Sequence, residues 1–169
     1  MSIRGRNSLT SPIAAVVFAA LVLTGCSSGM SSFGNNKLDV AEISNIGDYT
    51  AEGALTQARA QFRNGNYGHS ATLYKRVVEL QPSNAEGYVG LGASYDRLRR
   101  FDLSDRVYAS LFKLSGGTAQ YYNNLGYSNL LRGDLTAALR SFRQAQKLSP
   151  DSVIIQNNIL LVQDAQRQA

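Results

Sequence analysis

Tyr121-Tyr122-Asn123-Asn124-Leu125-Gly126-Tyr127, continued by Gly133-Asp134-Leu135, Ala138, Phe142, Ala145 and Pro150, decides how this chain folds. Taken alone, the stretch is an amphipathic helix, a turn, a second amphipathic helix and a proline stop. Moved back by 34 residues, much of it recurs. Leu125-Gly126 falls on Leu91-Gly92, Leu135 on Phe101 and then Tyr67, and Phe142 on Tyr108 and then Tyr74. Leu148 falls on Leu114 and Leu80, and Pro150 on Gly116 and Pro82. A fixed period over three copies marks a stacked repeat architecture, in which each unit buries its apolar stripe only against its neighbours.

The unit has the parts such a stack needs. Residues three, four and seven apart share one helical face, which supplies the buried stripe. Gly92, Gly126 and the small Ala58 allow the two helices of a pair to approach closely. Gly65 and Gly133 suit the backbone that leaves the first helix, whereas Arg99 stands there in the second copy and predicts a strained or different turn. Pro82 and Pro150 end the second helix, and Asn84, Asp151 and Ser152 are candidate caps for the helices that follow.

On these residues the chain resembles the tetratricopeptide-repeat (TPR) family. The second copy carries Tyr88, Leu91-Gly92 and Tyr95, and the third Tyr122 and Leu125-Gly126, with Asn129 in the place of the later Tyr. The first copy is degenerate in its leading half (Ala54, Gln57-Ala58, Gln61) but keeps Tyr67, Ser70, Tyr74, Val77 and Pro82. The resemblance implies an all-α solenoid of antiparallel helix pairs, with repeats at 51–84, 85–118 and 119–152. Residues 153–169 then form a capping helix, with Ile155, Ile159 and Val162 inward and Gln163, Asp164, Gln166, Arg167 and Gln168 in water. The alternative for this helix is an apolar strip at Ile154 and Leu161, left open for a partner or a second copy.

The N-terminus has another character. Arg4 and Arg6 precede an apolar run from Ile13 to Leu23, which predicts a secretory signal over residues 1–25. As helix that run reaches only roughly 16 Å, too short to cross a bilayer. Leu23-Thr24-Gly25-Cys26 resembles the bacterial lipobox, which implies cleavage before Cys26, its lipidation and a permanent membrane anchor; an ordinary cleavage nearby would instead leave a free thiol. Ser27, rather than Asp, after the cysteine favours the outer membrane, in its periplasm-facing leaflet. Residues 26–50, rich in Ser, Gly and Asn, read mainly as a flexible tether, with a short docked helix over Val40 to Ile46 as the alternative.

Composition excludes several functions. The chain has 17 Lys and Arg against 12 Asp and Glu. Without Arg4 and Arg6 the excess is only about +3, too small and too mixed for a nucleic-acid module. One histidine and one cysteine assemble neither a metal cluster nor an internal disulfide. His69 has no nucleophile nearby and reads as a solvated turn residue. Asp102 and Asp105 suit the start of a helix, and Arg97, Arg99 and Arg100 a solvated helix end. The expectation is a non-enzyme without cofactor, metal or small-molecule substrate.

Function is then expected on the wall that the family builds from the first helix of each pair: Arg59, Phe62 and Arg63; Val89, Ala93 and Arg97; Asn123, Tyr127 and Leu130; and Asn157 from the cap. Arginines for carboxylates, asparagines for peptide backbone and aromatics for apolar anchors suit a bound peptide or helix. Asn124 and Tyr127 serve equally well to pack neighbouring helices. Leu55 and Val89 occupy positions that are polar in the chaperone-binding branch of the family, which argues against its carboxylate clamp. In size, lipobox and repeat number the chain resembles the TadD-type accessory lipoproteins of tight-adherence (Flp) pilus systems and the pilotins that help an outer-membrane secretin assemble. The expected partners are such a secretin or pilus component. The competing expectation is an envelope-maintenance adaptor recruiting peptidoglycan hydrolases or proteases.

Overall fold

Side-chain oxygens open the first helix of each repeat pair and the second helix of the third pair. In the computed structural model, which describes residues 39–168, Thr50 Oγ1 accepts from the Gly53 amide at 3.1 Å and Thr118 Oγ1 from the Tyr121 amide at 3.1 Å. Asn84 Oδ1 accepts from the Gly87 amide at 3.2 Å and Asp134 Oδ1 from the Ala137 amide at 2.8 Å. Each satisfies an amide that the first helical turn leaves without a partner. The helices are α1 (Ala51–Arg63), α2 (Tyr67–Leu80), α3 (Ala85–Arg97), α4 (Phe101–Ser115), α5 (Ala119–Arg132), α6 (Leu135–Leu148) and α7 (Val153–Gln168). They form a TPR-type solenoid in which α1/α2, α3/α4 and α5/α6 are the pairs and α7 packs on α6.

The turns inside the pairs share one backbone solution. Gly65 has φ 78° and Gly133 φ 86°, and Arg99 adopts the same left-handed conformation at φ 56°. The turn at Arg99 therefore keeps the shape of the others and carries the strain of a side chain in that region. At the end of the second pair Gly116, at φ 69°, replaces proline, and α4 runs on to Ser115.

Ring sockets hold the pairs together. A Cβ on Gly92 would stand 2.6 Å from the Tyr108 ring, and one on Gly126 would stand 2.6 Å from the Phe142 ring. In the first pair the equivalent Ala58 is fully buried, and the Tyr74 ring lies instead against Gly90 of the next repeat, 2.1 Å from a hypothetical Cβ. No side chain fits under these rings, so the small residues are steric requirements.

The apolar core is interrupted between α4 and α5. One cluster runs through α1 to α3 around Ala58, Tyr74, Val77, Leu91 and Tyr95, and another joins α5, α6 and α7 around Ala138, Phe142, Ala145, Ile155 and Ile159. Between them Asp96, 2% exposed, accepts from the Tyr108 hydroxyl at 2.8 Å and the Ser128 hydroxyl at 2.7 Å. Arg132 donates to Ser128 Oγ at 3.1 Å, pairs with Asp105, and lies 4.7 Å above the Phe101 ring. Asp105 is thus an ion-pair partner across the repeat junction, and of the two acids expected at the start of the helix only Asp102 stands in the first turn of α4. Burial pushes the Asp96 carboxyl above its ordinary range, opposed by hydrogen bonds from Ser104, Ser128 and Tyr108 and by the Arg132 charge.

Both ends depart from the sequence expectations. Residues 39–49 form a strap docked on the first repeat, as in the alternative for Val40 to Ile46, but its one helical turn is a 3-10 turn at Ile46–Asp48. Val40, Ile43, Ile46 and Tyr49 pack on the first cluster, Thr72 Oγ1 donates to the Ala41 carbonyl at 2.5 Å, and Arg76 Nη2 donates to the Gly47 carbonyl at 2.9 Å. Gly68 lets the strap lie directly on α2, since its Cβ would stand 2.8 Å from the Asp39 carbonyl. At the other end Ile155, Ile159 and Val162 of α7 are buried as expected, but its outer side is only partly wet. Val153, Ile154, Leu160 and Leu161 are 64%, 69%, 56% and 51% exposed. Leu160 occupies the position of Ala58, Gly92 and Gly126, so α7 offers no ring socket. Residues 1–25, expected as a signal, and Cys26, expected as the lipidation site, lie outside the described residues.

Gly126→Leu should cost about 1–3 kcal/mol by overpacking against Phe142, read as a lower denaturant midpoint with unchanged slope. Gly68→Val should lift the strap, so limited proteolysis should cut within 39–49 before the helices. The folded state holds the Asp96 proton more tightly than the unfolded chain does. Its stability contribution is therefore full below the unfolded carboxylate range and lost as pH rises through the raised folded value. The stability of the wild type relative to Asp96→Asn should accordingly fall as pH rises above the ordinary carboxylate range, about pH 4, measured by chemical denaturation.

Candidate functional site

The first helix of each pair presents the same positions of the 34-residue unit to one side, and neighbouring copies touch there. Arg59 of α1 grips Glu86 of α3, with Nε to Oε1 at 2.6 Å and Nη2 to Oε2 at 2.5 Å. That hydrogen bond holds the Arg59 guanidinium even more firmly protonated than usual. Asn158 of α7 donates to Asn123 Oδ1 of α5 at 2.9 Å. These two contacts tie α1 to α3 and α5 to α7.

Not all ten wall residues named from sequence stand free on this surface. Arg63, Arg97 and Asn157 are exposed, and Val89 and Ala93 are half-buried between their neighbours. Arg63 makes no hydrogen bond or ion pair among the described residues. The Arg97 guanidinium lies 4.6 Å above the Tyr67 ring. Phe62 packs edge-on against that ring at 5.2 Å, so it braces the turn into α2 and positions Arg97 through Tyr67. Asn123 is half-buried and engaged by Asn158, while Tyr127 and Leu130 pack partly on the cluster of the third repeat. Arg59, being paired, offers a partner less than Arg63 and Arg97 do. Asn124 has its amide nitrogen buried without an acceptor among the described residues.

The wall also has members that the sequence reading missed or placed elsewhere. Glu86 supplies its counter-charge. Ile154 and Leu161 extend the row onto α7, because they stand 34 residues beyond Gln120 and Tyr127. Carrying the repeat offset past Pro150 is the signal that locates them. The wall thus changes character along its length. Arg59, Arg63, Glu86 and Arg97 make the first half charged, and Tyr127, Ile154 and Leu161 make the second half apolar. Such a row can hold a segment by fixed charges at one end and apolar contact at the other. Among the described residues no three His, Cys, Asp or Glu side chains gather as a metal site, and no helix is long and apolar enough to cross a membrane.

Comparison with known proteins agrees with this geometry. A tetratricopeptide repeat family model matches residues 55–104 and 89–153. Tetratricopeptide repeat protein 8 of Caenorhabditis elegans is 27% identical over 96 residues, which is 57% of this chain and 19% of that protein. Serine/threonine-protein phosphatase 5 of Rattus norvegicus is 28% identical over 101 residues, 60% of this chain and 20% of the phosphatase. This chain therefore spans about a fifth of the length of these relatives. Among solved structures, the first TPR domain of human RPAP3 has a TM-score of 0.61 at 17% identity, covering 70% of this chain and 93% of that one. The Yersinia enterocolitica type III secretion chaperone SycD, in complex with a peptide of the translocator YopD, has a TM-score of 0.56 at 16% identity. The coverage there is 68% of this chain and 93% of SycD. At these identities the structures share the fold.

Proposed function

The chain belongs to the tetratricopeptide-repeat family, and we propose that it is a non-enzymatic scaffold that grips a partner protein along the wall of α1, α3, α5 and α7. The observation that carries this reading is the continuous row from Arg63 and Arg97 to Ile154 and Leu161, charged at one end and apolar at the other. Large apolar side chains left open at one end of a solenoid are a costly surface without a partner. A neighbouring fold, SycD, holds a translocator peptide in its solved complex, which supports a segment of a protein as occupant here.

The place of action follows from the N-terminus. Leu23-Thr24-Gly25-Cys26 supports a lipid anchor at Cys26, in the outer membrane with the repeats facing the periplasm. In sequence, only residues 26–38 separate the proposed anchor from the docked segment 39–49. The repeats then work close to the membrane, where a pilus or secretion machine of the tight-adherence type is assembled, and a secretin or pilus component is the proposed partner.

The test is crosslinked capture with the native lipoprotein from its own cells. Cys26→Ser should abolish lipid labelling and membrane retention. Arg63→Glu with Arg97→Glu should lower partner recovery roughly tenfold at unchanged thermal stability, and a pilus or secretin component should lead the lost proteins. Equal recovery would contradict the wall; loss of peptidoglycan hydrolases or proteases instead would assign the scaffold to envelope maintenance.

A further inference from the structure

A groove of about 740 Å³ runs along the outward face of α6, bounded by Tyr122 and Leu125 of α5 and by Gln166 near the end of α7. It exists because the repeats stack incompletely. Leu91 is 5% exposed beneath α2, but its counterpart Leu125 is left half-open, since α4 packs on α5 far more sparsely than α2 packs on α3. The groove therefore has apolar walls at Tyr122, Leu125 and Leu139.

Its charges have one sign. Arg140, Arg143 and Lys147 line it, and no acidic residue does. Arg59 is answered by Glu86, Lys75 by Glu79, Arg132 by Asp105 and Arg167 by Asp164, whereas Arg63, Arg106 and Lys113 stand singly without an ion pair among the described residues. The three cations of α6 have no ion pair or hydrogen bond among the described residues. Spaced three and four residues apart on one helix, they repel one another until an anionic group arrives.

We propose that this groove is a second docking surface, distinct from the wall of α1, α3, α5 and α7, and that it takes an acidic amphipathic segment of a partner protein. Apolar side chains of the segment enter between Tyr122, Leu125 and Leu139, and its carboxylates meet Arg140, Arg143 and Lys147. The recess decides between a peptide and a membrane. Lipid is engaged by apolar side chains that project beyond a basic rim, whereas these are sunk between helices, as in a groove that receives a helix.

The test uses the full-length protein in detergent and a fluorescent synthetic helical peptide with Glu along one face and Leu and Phe along the other. A matched peptide with Lys for Glu and vesicles containing phosphatidylglycerol are the comparison probes. The acidic peptide should bind, weaken with added salt, and lose at least tenfold in affinity in Arg140→Glu/Arg143→Glu/Lys147→Glu. Circular dichroism should show that this variant is folded; if it is not, the three Gln substitutions replace it, with a smaller loss expected. Arg63→Glu with Arg97→Glu should leave this binding unchanged, which separates the groove from the proposed wall. No binding, equal binding of the Lys peptide, indifference to the α6 substitutions, or capture by the vesicles in place of the peptide would overturn the proposal.

Discussion

A missing side chain at Gly92 and Gly126 lets a ring from the second helix of the pair lie against the backbone of the first, and the stack follows from that contact. With the rings of Tyr108 and Phe142 seated there, each pair has one fixed separation, and its opposite faces are set for the neighbouring pairs. The first pair shows the same constraint from the other side. Ala58 partly fills the socket, and Tyr74 leans across to Gly90 of the next repeat. The shift joins the first two repeats through one continuous apolar cluster.

The third repeat is held differently. At its junction the chain buries Asp96 among hydroxyl groups and lets Arg132 bridge α5 to Asp105 of α4, where an apolar seam would be expected. Buried polar contacts are directional, so they fix the orientation of α5 without wrapping it. The cost is a half-open Leu125 and the basic groove beside it. The two ends are treated unequally as well. Backbone carbonyls of the strap seal the first repeat, whereas α7 leaves large apolar side chains facing out. A solenoid finished in this way is closed at its first repeat and leaves large apolar side chains exposed on its last helix.

Most of the repeat architecture was legible in the sequence, because the 34-residue offset aligns Gly, aromatic and Pro positions whose roles are steric. The strap was not. Thr72 and Arg76 hold it by main-chain carbonyls, and such acceptors exist at every residue, so no pattern in 39–49 announces them. Gly68, in the first turn of α2, meets the strap backbone where a Cβ would stand, a contact that only the structure shows. The wall was read in part. Periodicity located Arg63, Val89, Ala93 and Arg97, but it could not show that Arg59 is tied to Glu86 or that Phe62 turns to Tyr67, since both depend on side-chain choices across elements. Helical spacing alone gives Ile154 and Leu161 as an open strip on a cap, and only the 34-residue offset carried beyond Pro150 aligns them with the wall.

The central claim is that partners are held by the face of α1, α3, α5 and α7. The most direct measurement places a photo-crosslinking amino acid at Ala93, in the middle of that face, and at Lys75, on the exposed side of α2, in the full-length protein in its own cells. The account predicts a discrete protein adduct from position 93 and none from position 75. An adduct from position 75 with nothing from position 93 would contradict it.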